Sequence, residues 1–225
     1  MLINMAYSRR FRKRRFSRRS RSAWYDKRYS AKDVAIKALK NVNYIRGLVN
    51  SEMLHADNVF TLGANQSQIF SFVPIAQGDT VAGRTGNSIL LRNLYIRGHL
   101  EINSLVTGNT RVTLALVKDL QQVSDTSPSI SDIFTSSTDT DALLNVSSVG
   151  RYKVIWRKSI VLAPVAGGHN AVDIHKYWKV YDHVRYNGTA ATDIQKNGYY
   201  FVVITSEVAN YPTVVFNARA GYHDN

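Results

Sequence analysis

The sequence predicts an all-β protein, an antiparallel sandwich or barrel of the jelly-roll kind, preceded by a disordered basic N-terminal arm and one N-terminal helix. Three observations carry that prediction. Seven segments beyond residue 57 are rich in Val, Ile, Tyr, Phe and Thr and bounded by Gly, Asn, Asp or Pro, with no long helical pattern between them. Long irregular stretches at 76–88 and 119–150 separate long strands, which favours a jelly roll over a compact immunoglobulin-like sandwich. Charge is segregated: residues 1–28 hold eleven Lys or Arg against one Asp, a net of +10, whereas residues 33–225 hold 17 against 15.

The arm covers residues 1–29. Its core reads RRFRKRRFSRRSR at 9–21, and its cations are Arg9, Arg10, Arg12, Lys13, Arg14, Arg15, Arg18, Arg19, Arg21, Lys27 and Arg28. Like charge this dense repels itself and buries no apolar area, so the arm is expected to stay unstructured until it meets a polyanion. Guanidinium groups pair with phosphate oxygens, and the interspersed Tyr7, Phe11, Phe16, Trp24, Tyr25 and Tyr29 suit stacking on unpaired bases. Neutralising about ten phosphates of a single strand gives a slope of log affinity against log salt of roughly −7. The eleven cations are therefore the expected nucleic-acid-binding residues, and the same run suits a nuclear-import signal read by import machinery. Met5 opens MAYSRRFRKRR, an equally natural start.

A helix is expected over residues 30–54. Ser30 suits the cap and Asp33 stands at the third helical position. Val34, Ala38, Val42, Ile45 and Val49 recur at three- and four-residue spacing and form one apolar stripe, while Gly47 and Asn50 weaken the last turns. The jelly-roll domain is placed at 55–225. Ile69, Phe70, Phe72 and Val73 form a strand broken by Pro74. Residues 76–88 (AQGDTVAGRTGNS) read as a loop. Residues 88–103 alternate imperfectly through Ile89, Leu91, Leu94, Ile96, Leu100 and Ile102. Strands follow at 110–118, 152–162, 173–186 (DIHKYWKVYDHVRY, a charged alternation), 199–207 and 213–222. Segment 119–150 reads as an excursion between strands, with short helical turns around Ile130, Ile133, Phe134, Leu143 and Leu144.

A body of this size buries about 70% of its unfolded surface, enough for a core without cross-links. The chain has no cysteine, which removes disulfides, thiolate metal sites and cysteine nucleophiles. Its apolar runs fall short of the ~20 residues that span a bilayer. A soluble protein of a reducing compartment is expected, without signal peptide or membrane insertion, so the three Asn-X-Ser/Thr triplets read as chance matches.

No active site is evident, and a non-enzyme without cofactor is expected. The glycines at 78, 83 and 86 lack the Gly-Lys-Ser/Thr ending of a phosphate loop and enter a strand rather than a helix. His175 and His183, eight apart in a strand, stand about 26 Å from each other and cannot share a metal. Ser, His and Asp occur without a nucleophile-elbow pattern. Asp139 and Asp141 match no calcium loop and read as a solvated turn.

Six short words occur in order: Ile75-Ala76-Gln77-Gly78-Asp79, Arg84-Thr85-Gly86-Asn87-Ser88, Leu94-Tyr95-Ile96-Arg97-Gly98, Asp125-Thr126-Ser127-Pro128, Tyr186-Asn187-Gly188-Thr189 and Gln195-Lys196-Asn197-Gly198. With the arm and helix ahead of them, the chain resembles the single jelly-roll capsid proteins of small circular Rep-encoding single-stranded DNA (CRESS-DNA) viruses. It resembles more distantly the coat proteins of the satellite tobacco necrosis virus type. The resemblance implies an eight-stranded jelly roll, a T=1 icosahedral virion shell of sixty copies, and an inward-facing arm on a single-stranded genome, with assembly in the host nucleus. DNA is the cargo that the resemblance implies; the residues alone leave DNA and RNA open. Sixty such arms would carry roughly 600 positive charges, of the order needed to neutralise much of a genome of about one to two thousand phosphates. Satellite-type members bind calcium between subunits; the resemblance leaves such calcium open here and assigns it to no residue.

Two rivals remain. A non-viral architectural nucleic-acid-binding protein with a basic tail needs a basic face on the body, whereas Lys and Arg of 33–225 are spread along the sequence and balanced by acids. A glycan hydrolase needs a convergent pair of acids, and no such pair is evident.

Overall fold

The structure, a computed structural model, describes residues 30–49, 53–80, 82–123, 126–164 and 170–224. It divides into two units after Val49. The first contains helix α1, Ala31–Val49. Its expected cap is present: the Asp33 backbone N–H donates to Ser30 Oγ at 3.2 Å, and the Ser30 N–H donates to Asp33 Oδ2 at 3.2 Å. The stripe residues Val34, Val42 and Ile45 are exposed, as are Ile36, Leu39 and Tyr44 on other faces.

The second unit is built from nine strands in two antiparallel sheets. The strands are β1 (Leu54–Thr61), β2 (Ser67–Ser71), β3 (Ser88–Glu101), β4 (Thr110–Asp119), β5 (Tyr152–Leu162), β6 (Ala171–Tyr186), β7 (Ile194–Lys196), β8 (Gly198–Thr205) and β9 (Thr213–Asp224). One sheet has the order β1-β9-β3-β6-β7 and the other β2-β8-β4-β5. Seven of these strands answer to the expected segments. The other two, β1 and β7, have no counterpart among them. Leu54, expected at the end of the helical segment, opens β1 instead. Its sequence LHADNVFT hides the alternation behind Asp57 and Asn58, yet Ala56 and Phe60 point inward and the strand pairs with β9 from Leu54↔Tyr222 to Thr61↔Val215. β7 has only three residues and no periodicity to read.

The sheets pack through an aromatic centre. Phe60 stacks on Phe70 at 4.9 Å, meets Phe72 edge-on at 5.1 Å and lies 5.9 Å from Phe201. Phe201 meets Phe216 at 5.5 Å and Trp178 meets Trp156 at 5.5 Å. Such pairs add ~0.5–1.5 kcal/mol each to their area burial. Every residue of β8 is buried. Tyr199, Phe201 and Val203 face the other sheet, whereas Val202 and Ile204 face outward into a second core. That second core explains the excursion after β4. Short helix α2 (Ile130–Ile133), with the adjoining Phe134 and Ala142, packs on Ala115, Val117, Tyr152, Val202 and Ile204. The excursion is therefore the cover of the four-stranded sheet's outer face. Of the apolar residues expected in its helical turns, Ile130 and Ile133 lie in α2, Phe134 and Leu144 form an isolated bridge, and Leu143 is exposed.

The imperfect alternation of β3 has a physical origin. Leu91 pairs with Tyr222 and Asn93 with Gly221, so Arg92 is one extra residue relative to β9. This bulge turns the buried positions from odd (Ile89, Leu91) to even (Leu94, Ile96). Further along, a Cβ on Gly98 would stand 1.9 Å from the Val215 carbonyl oxygen, so only glycine allows β9 to approach there.

Candidate nucleic-acid interface

Of the expected binding residues, Arg9, Arg10, Arg12, Lys13, Arg14, Arg15, Arg18, Arg19, Arg21, Lys27 and Arg28 lie outside the described residues. What the structure places is the body, and its two outer faces differ sharply. The excursion covers the face of the four-stranded sheet. Among the described residues, the five-stranded sheet presents an outer face that is exposed along β6.

Strand alternation assembles that face. Every odd residue of β6 from 171 to 185 is exposed, so Asp173, His175, Tyr177, Lys179, Tyr181, His183 and Arg185 stand in one row. The charged alternation of the sequence is this row. Registers bring β3 and β9 beside it: Arg97 faces His175 and Asn217, and Tyr95 faces Tyr177 and Arg219. Arg92, directed outward by the bulge, holds its guanidinium 4.5 Å from the Tyr181 ring centroid, with the Lys179 ammonium at 5.3 Å. Arg219 forms a bidentate pair with Asp57 of β1 at 2.6 Å, which holds the Asp57 carboxyl below the usual carboxylate range. Among the described residues, no ion pair engages Arg92, Arg97, Lys179 or Arg185. Two shallow depressions lie on this face, one lined by Asp57, Val59, Tyr95 and Arg219, the other by Arg97, His99, Asp173 and His175. In linear order these cations are spread; alternation and register bring several of them together.

The loops around residue 84 show why three of the six sequence words occur. Arg84 is fully buried. It donates through Nε to the Ile75 carbonyl at 3.0 Å, through Nη1 to Gly86 at 2.6 Å and through Nη2 to Gly188. Its guanidinium also lies 4.0 Å from the Tyr186 ring centroid. The words beginning at Ile75, Arg84 and Tyr186 thus meet around one cation. Thr85 N–H donates to Asp224 Oδ2 at 2.7 Å, and Tyr222 OH donates to the Gly83 carbonyl at 2.9 Å, tying the same loop to the end of β9. A Cβ on Gly83 would stand 2.3 Å from the Gly78 carbonyl oxygen. Gly83 serves this tight closure, in keeping with a loop rather than a phosphate cradle.

Several acidic groups in the body are committed to structure. Arg151 binds Asp119 bidentately at 3.0 and 2.8 Å. Lys118 Nζ donates to Asp182 Oδ2 at 2.7 Å, linking the two sheets, and Tyr199 OH donates to the same oxygen. Burial pushes the Asp182 carboxyl up, but these two donors outweigh it and hold the carboxyl below its ordinary value. Burial pushes the Tyr152 phenol up to about 12, and its hydroxyl has no hydrogen-bond partner among the described residues. Asp141 pairs with Arg111, and Asp139 Oδ1 accepts the Asp141 N–H at 2.8 Å, so this pair organises its own turn. His175 and His183 share the open face of β6, eight residues apart as expected. Among the described residues, no group of three or more His, Asp or Glu is arranged to hold a metal ion. Nor is any helix there long and apolar enough to cross a membrane. No model of a known protein family matches the chain, and no curated protein matches it either.

Proposed function

We propose that the chain is a viral capsid protein whose body is a jelly roll, which self-assembles into a T=1 shell of sixty copies and packages a single-stranded genome through its arginine-rich arm. The observation that carries this reading is the segregation of charge: a net of +10 in residues 1–28 beside a nearly balanced body. Like charge repeated at every contact of a closed shell would oppose closure, so a balanced body suits repeated contacts and a separate arm suits the polyanion. Strand order supports the jelly roll. The first strand pairs with the last, β2 pairs with β8, and successive long strands are distributed as β1-β9-β3-β6 and β2-β8-β4-β5. The three sequence words that meet at Arg84 add to the resemblance with CRESS-DNA capsid proteins. On this reading the role is structural, not enzymatic, the cargo is DNA, and the protein acts in the virion and, during assembly, in the host nucleus.

Jelly rolls also serve proteins that never form shells, so the test is assembly itself. The purified full chain is expected to form closed particles about 20 nm across in negative-stain electron microscopy, with copies repeated by icosahedral symmetry. A monomer or dimer by light scattering across salt and pH would overturn the reading. That outcome would favour an architectural nucleic-acid-binding protein with a basic tail, a second reading supported by the cations gathered on the five-stranded sheet.

A further inference from the structure

We infer that the open face of the five-stranded sheet is a second binding surface for single-stranded nucleic acid, separate from the arm. This rests on the nucleic-acid part of the proposed function, and needs no shell.

Aromatic and cationic groups alternate there in the pattern that unpaired strands require. Tyr177 and Tyr181 are 57% and 56% exposed, four residues apart on one strand. Exposing two large rings to water is unfavourable unless something covers them, and rings of this kind offer every base a stacking surface. Arg97, Arg92, Lys179 and Arg185 flank them. After Asp57 is matched by Arg219, the fixed acids on this face are Asp173 and Glu101. The surplus is cationic, and the row from Asp173 to Arg185 is about 40 Å long, enough for an extended strand. A flat polyanion with stackable faces complements this chemistry. An acidic protein complements only its charge, and a second copy of the same cationic face is repelled.

The test uses the full chain with the nine Arg and Lys of 9–21 changed to Gln, and oligo-dT as the probe. This arm-neutral chain is expected to retain binding with a salt slope of about −3, for four phosphate contacts. Adding R92Q, R97Q, K179Q and R185Q should abolish both the binding and its slope. Y177S and Y181S should each weaken binding about tenfold at unchanged slope. Should the fourfold variant melt early, R97Q/K179Q and R92Q/R185Q are measured as pairs, each expected to lower the slope by about half.

Loss of all binding in the arm-neutral chain would overturn this inference and leave the arm reading intact. Binding undiminished from the wild-type chain would overturn the arm reading instead, and support the face provided that the face variants then abolish it. Face variants that change self-association but not strand binding would overturn the inference in favour of a protein interface.

Discussion

Replacing Arg84 by Met should destabilise the body by about 2–4 kcal/mol. The substitution keeps an apolar stem but removes the donors to three buried loop carbonyls, Ile75, Gly86 and Gly188, together with the stack on Tyr186. Each buried acceptor left unsatisfied costs about 1–3 kcal/mol. Against that stands relief of a desolvated cation with no carboxylate among its hydrogen-bond partners, which returns several kcal/mol. At about 2–4 °C per kcal/mol for a domain of this size, the thermal midpoint should fall by about 4–16 °C. Arg84→Lys keeps the charge but not the three-way fork, and should fall between wild type and Met. Circular-dichroism melts give the midpoint, and amide exchange locates the loss. Protection should drop first in 75–87 and 187–193, the loops that the guanidinium joins, with the β8 centre least affected. An Arg84→Met chain that melts with wild type and keeps protection in both loops would refute the idea that this cation organises them.

Phe201→Ala empties the site where Phe60, Phe72 and Phe216 converge, and should cost about 3–5 kcal/mol, read as a lower urea midpoint at unchanged slope. Asp182 gives an acid dependence whose sign is set by its depressed carboxyl. Its stabilisation is complete above the unfolded carboxyl value of about 3.9 and is lost as pH falls through the lower folded value. Melts below about pH 4 should therefore steepen in wild type and flatten in Asp182→Asn; identical acid slopes would remove the Lys118–Asp182 link from the account. Deleting residues 1–28 should leave the body's melting transition nearly in place while nucleic-acid uptake collapses, read as the ratio of absorbance at 260 and 280 nm. Uptake at the full-length level would assign packaging to the body.

Much of the fold is legible in the sequence, for local reasons. Seven strands show themselves through β-branched and aromatic runs with turn residues at their ends, and the Ser30–Asp33 cap is visible as a pair three residues apart. Even the β3 bulge leaves a trace. Apolar positions in one strand shift phase between Leu91 and Leu94, which a continuous strand with one buried face cannot do. The charge split between arm and body is a property of sequence alone.

What the sequence does not contain is which distant segments become neighbours. β1 is stabilised by pairing with β9, and its own alternation is too polar to betray it. Arg84 looks like any loop cation until Ile75, Gly86 and Gly188 close around it from both sides of the chain. The same holds for the open face. Arg92, Arg97, Lys179 and Arg185 are scattered among acids in linear order, and become a patch only because register sets β3 beside β6 while Asp119, Asp141 and Asp182 are drawn into pairs elsewhere. Composition and periodicity decide which residues can form strands and which can meet a polyanion. Long-range pairing, whose free energy appears only once the loops have closed, decides which of them share a surface.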